Sequence, residues 1–272
     1  MSLSQPTATG SLGNPTPKLK LDQSSGITMN SQVFTVMVWA YHTGGITDAY
    51  QDIISLRDST IGAGDSDDQV IGMGTKDGGG GVRIANLGDV DTDVDGVQAI
   101  PDNEWHHFTL VGELTPNSTS PPQRTRLTGY VDAIQHARSS DTELTPPTFP
   151  DNDCWLQLFN SRSSETDVGS VFVGHMAGLK VWSGVALTPA EIFKEMQCYM
   201  PVRTKDIFCV TPMQNKAMAK FNYMGLVDFT VQGAAFVDGV LDPPGVSWDY
   251  PQERRLQDWF VNPLPRFILG TH

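Results

Sequence analysis

An acidic run in which every second residue is an aspartate is the first candidate for chemistry. Its four members are Asp89, Asp91, Asp93 and Asp95. From Asp91 onward, the spacing Asp-x-Asp-x-Asp-Gly matches the first half of an EF-hand calcium loop. Position twelve is Asp102 rather than a bidentate glutamate, and no amphipathic helix flanks the run, which excludes a true EF-hand. Two interpretations stay open, a calcium site at these aspartates and a solvated acidic hairpin, and no other cofactor is suggested.

A second set of side chains is of the kind that binds sugars. Glycan sites combine exposed aromatic rings with neighbouring carboxylate or amide groups, and such residues stand at predicted strand ends and in loops. The candidates for glycan binding are Tyr41, Tyr50, Trp155 and Asn160. Large aromatic residues also fill protein cores, so packing is the alternative role of each ring.

Two adjacent histidines, His106 and His107, invite a metal hypothesis. Consecutive side chains of a strand point to opposite faces, so the pair cannot chelate one ion. The face that we expect to pack inward carries Trp105, His107, Thr109 and Val111. The other face carries His106, Phe108 and Leu110, and both faces hold apolar groups, as a covered middle strand requires. The two histidines are therefore interpreted as scaffold.

Catalytic motifs are missing from the sequence. Retaining glycoside hydrolases need two carboxylates about 5 to 5.5 Å apart, commonly supplied by Glu-x-Asp-x-x-Glu on one strand. The nearest string begins at Glu165 and has Ser170 in place of the last carboxylate. No Ser/His/Asp signature, phosphate loop or dinucleotide fingerprint is present. The sequence therefore predicts a protein that is not an enzyme.

The composition excludes several classes of partner. Among 272 residues, 18 are Lys or Arg and 31 are Asp or Glu, which gives a formal net charge of −13. This charge repels a phosphate backbone, so nucleic acid is not an expected partner. Three cysteines without Cys-x-x-Cys spacing favour reduced thiols over a disulfide framework or a zinc site. No signal peptide and no apolar run of the ~18 residues in a membrane span is visible, so no membrane partner is expected.

Short candidate strands separated by turn residues run through most of the chain. Eleven are predicted, at 18–21, 33–41, 52–56, 70–74, 82–87, 96–100, 105–112, 126–132, 154–159, 171–174 and 178–182. The glycines after Asp77 predict that 70–74 and 82–87 form an antiparallel hairpin. Thr188-Pro189-Ala190-Glu191 has the residues of a helix start and predicts one short helix near 189–197. The fold class predicted is an all-β, antiparallel two-sheet sandwich.

The chain divides into three predicted segments. Residues 1–17 are rich in Ser, Thr, Gly and Pro and predict an extended N-terminal arm. Residues 18–238 form the predicted sandwich. Residues 239–272 are a Pro-rich strap, which cannot add to a central sheet and is expected to lie over the domain or on a sister subunit. Its predicted partner-binding residues are Trp248, Tyr250, Trp259, Phe260 and Phe267.

The order of these motifs resembles that of laminin-G-like, or concanavalin-A-like, jelly-roll domains. The resemblance covers residues 18–197 and is carried by Phe34–Trp39, Ile53–Leu56, Trp105–Val111, Gly129–Asp132, Gly178–Trp182 and Leu187–Ile192. It implies a jelly-roll fold, and calcium sites recur in such sandwiches. Two departures are visible: Ala133 replaces a usual glycine, and the strand before Trp182 lacks a frequent acidic residue.

Residues 206–248 also resemble the closing segment of phage-encoded laminin-G-like virion proteins, through Asp228–Gly233 and Pro243–Trp248. This resemblance implies a structural or binding protein at the virion surface, a capsid decoration or head-fibre component made in the host cytoplasm. Its partners would be capsid or other virion proteins, sister subunits and host-surface polysaccharide. The alternatives are a glycoside hydrolase on the same fold and a soluble calcium-dependent lectin.

Overall fold

The computed structural model describes fifteen stretches of the chain. They are 2–5, 18–21, 33–43, 50–58, 70–76, 80–87, 94–95, 100–115, 125–138, 154–158, 170–215, 222–224, 229–232, 237–239 and 242–246. Within these stretches, none of the helices has the length and apolar character needed to cross a membrane.

The described residues form strands and one short helix. The first eight strands are β1 (Ser2–Gln5), β2 (Lys18–Leu21), β3 (Phe34–His42), β4 (Tyr50–Asp58), β5 (Val70–Lys76), β6 (Gly80–Leu87), β7 (Val94–Asp95) and β8 (Trp105–Leu114). They are followed by β9 (Thr125–Val131), β10 (Ile134–Arg138), β11 (Cys154–Leu158), β12 (Ser170–Val171), β13 (Gly174–Ser183), α1 (Pro189–Glu195), β14 (Ile207–Thr211), β15 (Phe229–Gln232) and β16 (Val237–Gly239).

The strands assemble into two sheets. The first has the order β10-β9-β8-β3-β13-β1-β16, with β14 also paired to β13. The second has the order β15-β2-β11-β4-β5-β6-β7, with β12 paired to β4. All pairings among the described strands are antiparallel except that of β12 with β4. The predicted two-sheet antiparallel jelly-roll sandwich is confirmed.

The main hydrophobic core lies between the two sheets. Alternate residues of β3 and β8 supply it from the first sheet, namely Phe34, Val36, Val38, Ala40, Phe108 and Leu110. The second sheet supplies Ile54, Leu56, Ile71, Met73, Val82 and Ile84. All of these side chains are at most 2% exposed, because the apolar faces of the two sheets pack directly against each other.

The opposite, outer face of the first sheet is covered as well. Helix α1 packs there, and Ile192 joins Met37, Val111 and Trp182 in a second buried cluster. The helix begins as predicted, because the Thr188 side chain accepts from the Glu191 N–H while the Glu191 carboxylate accepts from the Thr188 N–H. It ends at Glu195, two residues before the predicted end.

The described structure differs from the sequence predictions in several places. β1 lies within the segment predicted to be an extended arm, because it pairs with the part of β13 that β14 leaves open. The predicted strand 171–174 is divided between the end of β12 and the first residue of β13. The predicted strand 178–182 is the second half of β13, in which Gly178 has a positive φ of 64° at a bulge. β10 and β14 were not predicted. The hairpin of β5 and β6 is confirmed, whereas the predicted strand 96–100 lies mostly outside the described residues.

The orientation of β8 also needs a correction. Its side chains alternate as predicted, but the face with Phe108 and Leu110 points to the core between the sheets. The face with His107 and Val111 points outward, under α1 and its neighbours. Both faces are buried because the helix gives the first sheet a third layer, which sequence alternation alone does not reveal.

Candidate functional site

Three aromatic rings meet on the outer face of the first sheet, at the edge of the area that α1 covers. Tyr41 on β3 is directly opposite Trp105 on β8 and directly opposite His175 on β13. The ring centroids lie 5.7 Å apart for Tyr41 and Trp105, 5.4 Å for Tyr41 and His175, and 6.3 Å for Trp105 and His175. All three side chains are half-buried. We call these three residues the aromatic cluster.

Register explains why these rings meet. Side chains directly opposite each other on adjacent strands lie about 5 Å apart and contact each other. Antiparallel pairing of β8, β3 and β13 therefore places one ring from each strand side by side. Gly174, the neighbour of His175, allows β13 to approach β3 closely, since a Cβ there would stand 2.0 Å from the Tyr41 carbonyl oxygen.

A polar turn leads directly into Trp105 of the aromatic cluster. Its residues Asp102, Asn103 and Glu104 are all exposed. The turn is fixed from β3, because the Asn103 N–H donates to the His42 carbonyl oxygen at 2.7 Å. The His42 ring also bonds the Asp102 carboxylate through Nδ1 at 2.5 Å. We call residues 101–104 the acidic turn.

A second histidine supports the next turn along the same end of the sheet. His106 Nδ1 lies 2.8 Å from the Asp132 carboxylate, whose other oxygen accepts from the His107 N–H at 2.8 Å. Burial raises the pKa of Asp132, but the hydrogen bonds from His106 and from the His107 backbone outweigh burial and lower it overall. Asp132 therefore stays ionised and ties β8 to the turn between β9 and β10.

The aromatic cluster continues into a buried layer beneath α1. Trp105 packs against Trp39 and Tyr199, and the Trp39 indole donates to the Met196 carbonyl oxygen at 3.0 Å. The edge of the His107 ring contacts Trp39, with centroids 5.1 Å apart. Rings of the cluster are therefore fixed from below by packed side chains rather than free to rotate.

A buried ion pair fastens α1 to this layer. Lys180 on β13 and Glu195 at the helix end are each 2% exposed, and Lys180 Nζ lies 2.9 Å from Glu195 Oε2. The same carboxylate accepts from the Val202 N–H at 2.9 Å and from the Arg203 N–H at 2.5 Å. Every polar group of the pair thus has a partner, which a buried charge requires.

The indole N–H of Trp105 differs from this satisfied network. It is buried and has no hydrogen-bond partner among the residues that the structure describes. Tryptophan N–H groups usually find an acceptor when buried.

A cleft of about 460 Å³ lies between α1 and residues 202–205. Its walls include Lys194, Lys205 and Arg203, and Arg203 is bonded to Glu191 at 2.8 Å. The guanidinium of Arg203 is therefore already paired with a carboxylate, and we assign no binding role to this cleft.

The residues predicted from sequence fall into two groups. Tyr41 lies in the aromatic cluster, whereas Tyr50 and Trp155 are described only as backbone positions of β4 and β11. Asp95 is the second residue of β7. Outside the described residues lie Asn160, Asp89, Asp91, Asp93 and the strap residues Trp248, Tyr250, Trp259, Phe260 and Phe267. Among the described residues, no group of three or more His, Cys, Asp or Glu side chains could hold a metal ion.

Sequence reasoning missed two members of the cluster. Trp105 was predicted to pack inward, and His175 was not singled out. The missing signal was the pairing register, since Tyr41, Trp105 and His175 are far apart in the chain and only the sheet order brings them together.

Comparison with known proteins agrees with this architecture. Residues 13–193 match the family model described as the concanavalin A-like lectin/glucanases superfamily, which is more than half of the chain. No curated protein sequence matches. A heptameric SAP-like pentraxin from Limulus polyphemus superposes with a TM-score of 0.58 at 14% identity, over 90% of this chain and 96% of the pentraxin.

Two further solved structures share the fold. A putative carbohydrate binding protein from Bacteroides ovatus has a TM-score of 0.54 at 13% identity, over 90% of this chain and 62% of that protein. Tailspike protein 2 of the Escherichia coli O157:H7 bacteriophage CAB120 has a TM-score of 0.50 at 12% identity, over 78% of this chain and 26% of the tailspike. At these identities the likeness is one of fold.

Proposed function

We propose that this chain, which belongs to the concanavalin A-like lectin/glucanases superfamily, is a non-enzymatic protein that binds glycans at its aromatic cluster. The observation that carries the proposal is the meeting of three half-buried rings from three neighbouring strands, at the end of the sheet where an exposed polar turn leads into Trp105. This combination offers apolar contact and hydrogen bonding side by side.

Each part of the cluster suits one part of a sugar. The C–H groups of a pyranose face carry partial positive charge and pack on the negative face of an aromatic ring. Hydroxyl groups at the edge of the sugar donate to carboxylates, which accept hydrogen bonds only. The acidic turn offers exposed carboxylate and amide groups of this kind directly before Trp105 in the chain.

Two of the described carboxyl groups, Asp132 and Glu191, are unsuited to the acid step of glycoside hydrolysis. A glycoside hydrolase needs one carboxylic acid whose pKa is raised so that it can protonate the leaving group. The pKa of Asp132 is lowered instead, and so is that of Glu191, chiefly by the hydrogen bond from the Thr188 backbone. Both groups are therefore ionised at neutral pH and unsuited to the acid role.

The test is a glycan-binding measurement on the full chain and three variants. Trp105→Ala is expected to weaken binding by about 2 kcal/mol, or about thirtyfold in Kd, as for other aromatic anchors. Trp105→Phe keeps a ring and should retain most of the affinity. Phe193→Ala is the matched control, because Phe193 is an aromatic residue on α1 that is 51% exposed and lies outside the cluster.

Three outcomes would contradict this proposal. Equal losses for Trp105→Ala and Phe193→Ala would remove the aromatic cluster from the binding site. Release of reducing sugar from a polysaccharide panel would favour the alternative function, a glycoside hydrolase on the same fold. Binding that requires added calcium would instead favour a calcium-dependent lectin with the aspartates near Asp95 as ligands.

The biological setting that we propose is the surface of a phage virion, as a capsid decoration or head-fibre component that contacts host-surface polysaccharide. Its support is the resemblance of residues 206–248 to virion proteins and the fold shared with a phage tailspike protein. In this setting, the aromatic residues from Trp248 to Phe267 attach the strap to capsid or sister subunits. Sedimentation and limited proteolysis test this, since a monomer whose two termini are cleaved readily would contradict it.

A further inference from the structure

We infer that the first aromatic residues of the strap, Trp248 and Tyr250, dock on the aromatic cluster of the same chain, so that the strap and a glycan compete for the same rings. The docking does not depend on the ligand of the cluster, whereas the competition rests on the proposed function. Both strap residues lie outside the described residues. The path of the chain from β16 to Val246, where the described part ends, supports the docking.

The chain turns back across the first sheet after β16. This strand is at the edge of the sheet, and β1 and β13 separate it from β3. Val246 nevertheless packs against a buried group made of Trp39 on β3, Ala177 on β13 and Tyr199. Residues 240–246 can span at most about 25 Å, which exceeds the roughly 15 Å of three strand spacings. The chain therefore runs over the outer face of the sheet, in the direction of β3.

A tight turn anchors the strap where it meets the sheet. Pro243 is buried, and Gly245 has a positive φ of 72°. Pro244 followed by such a glycine has the residues of a type II turn. The turn leads into the half-buried Val246. The start of the strap is therefore held on the domain rather than directed away from it.

Val246 packs one row of side chains away from the aromatic cluster. The opposite pair of Ala177 and Trp39 is followed, on the same face, by the opposite pair that contributes two of the three rings. Successive rows of one face are about 7 Å apart. The third ring, Trp105, packs against the same buried group as Val246. Trp248 is two residues beyond Val246 and can extend about 7 Å from it, so its ring is within reach of the cluster.

The chemistry of the strap suits this surface. Pro243, Pro244 and Pro251 flank its first aromatic residues, and Pro-rich segments commonly dock in grooves lined by aromatic rings. The backbone of such a segment forms no internal hydrogen bonds, so its carbonyl groups can accept from elsewhere. The buried indole N–H of Trp105 has no partner among the described residues. A strap carbonyl would supply the acceptor that a buried donor requires.

Docking of the strap closes the proposed glycan site in the isolated chain. The apparent Kd for a glycan rises in inverse proportion to the fraction of chains whose rings are uncovered. Attachment of the strap to a capsid or a sister subunit, as proposed above, withdraws Trp248 from the rings. Glycan binding is then strongest after assembly.

The docking is tested on the full chain by NMR of the tryptophan indole N–H groups. The Trp105 signal is identified by its absence from the spectrum of Trp105→Phe. We expect this signal to shift in Trp248→Ala, whereas Trp248→Phe keeps a ring and should leave it close to the wild-type position. Trp259→Ala is the matched control, because it removes the same side chain from a later part of the strap. The Trp105 signal should not depend on protein concentration, because the contact lies within one chain.

The competition is tested by calorimetry on the same variants, with dextran, galactomannan and a bacterial O-antigen polysaccharide as probes. Trp248→Ala is expected to bind about tenfold tighter than the wild type, which corresponds to uncovered rings in about one wild-type chain in ten. Trp259→Ala should bind as the wild type does. The gain in Trp248→Ala is opposite in sign to the loss expected for Trp105→Ala.

The possible failures are distinguishable. An unchanged Trp105 signal in Trp248→Ala overturns the docking, whatever the chain binds. A Trp105 signal that shifts with protein concentration, together with dimers in sedimentation, overturns docking within one chain in favour of the strap of a second copy. A shifted signal without glycan binding by the wild type or by Trp248→Ala supports the docking and contradicts the proposed function. Weaker glycan binding by Trp248→Ala overturns the competition, because Trp248 then belongs to the glycan site.

Discussion

Replacing His107 with glutamine is expected to remove much of the acid sensitivity of the fold. The His107 ring is 1% exposed and lies against Trp39 under the helix layer. Burial, followed by the positive charge of Lys180, lowers the pKa of His107 to about 3, although Asp132 acts in the opposite direction. The hydrogen-bond partner of the ring is Thr109 at 3.3 Å, and burial keeps the ring neutral in the folded protein.

The sign and size of the effect follow from proton linkage. In the unfolded chain, His107 has its ordinary pKa near 6.5 and binds a proton as the pH falls below that value. The folded state does not bind this proton until about pH 3. Stability is therefore full above pH 6.5 and falls by about 1.4 kcal/mol per pH unit below it. Between pH 7.5 and 4.5 the loss is about 2.7 kcal/mol from this residue alone.

Urea unfolding at pH 7.5 and pH 4.5 measures this loss. Burial also lowers the pKa of His136 and His175, so the wild type loses stability from several histidines, and the comparison with His107→Gln isolates one. The variant should lose about 2 to 3 kcal/mol less than the wild type over this interval. Gln135→His, which adds an exposed histidine on β10, should behave as the wild type. An unchanged loss in His107→Gln would refute the conclusion that this ring is kept neutral by burial.

Three further substitutions test how the site is supported, each by urea or thermal unfolding. Lys180→Met leaves the carboxylate of Glu195 buried without its cation and should cost about 3 to 5 kcal/mol, with a loss of less than 1 kcal/mol contradicting the buried pair. Thr188→Ala removes the hydroxyl that accepts the hydrogen bond from the Glu191 N–H and should lower the free energy of unfolding by about 1 kcal/mol. Gly174→Ala should cost about 1 to 3 kcal/mol or more, because its Cβ would meet the backbone of β3 at 2.0 Å, and full stability would contradict that close approach.

Local signals in the sequence predicted the local features correctly. The start of α1 is determined by residues 188–191, whose capping contacts are all within one helical turn. The antiparallel pairing of β5 with β6 was likewise predicted from the glycine-rich sequence between them. Short-range chemistry of this kind can be read from a sequence because its partners are neighbours in the chain.

Features that depend on distant partners were missed. β10 has only two aliphatic side chains in five residues, and it forms because Asp132 and Ala133 both adopt positive φ, 51° and 64°, in a tight turn that returns the chain beside β9. Lys180 looks like an exposed residue of β13 until Glu195 is placed against it by α1. Neither feature has a periodic sequence pattern.

The candidate site was predicted only in part for the same reason. Tyr41 was selected as an aromatic residue at a strand end, and that position is where the structure places it. Its neighbours Trp105 and His175 belong to strands that lie 64 and 134 positions further along the chain, counted from their residue numbers. Only the order β8-β3-β13 in the sheet makes them neighbours, and a single sequence does not contain that order.

The first three residues of β8 illustrate how strand alternation divides functions between adjacent positions. Trp105 faces outward and joins the aromatic cluster, His106 faces the other side and holds Asp132, and His107 faces outward again beneath the helix layer. A substitution at His106 should therefore disturb the turn after β9, while one at His107 should alter acid stability. Only a substitution at Trp105 should affect glycan binding directly, although all three residues are consecutive. The proposed function thus depends on a single residue of this strand, and the two histidines support it from opposite faces of the sheet.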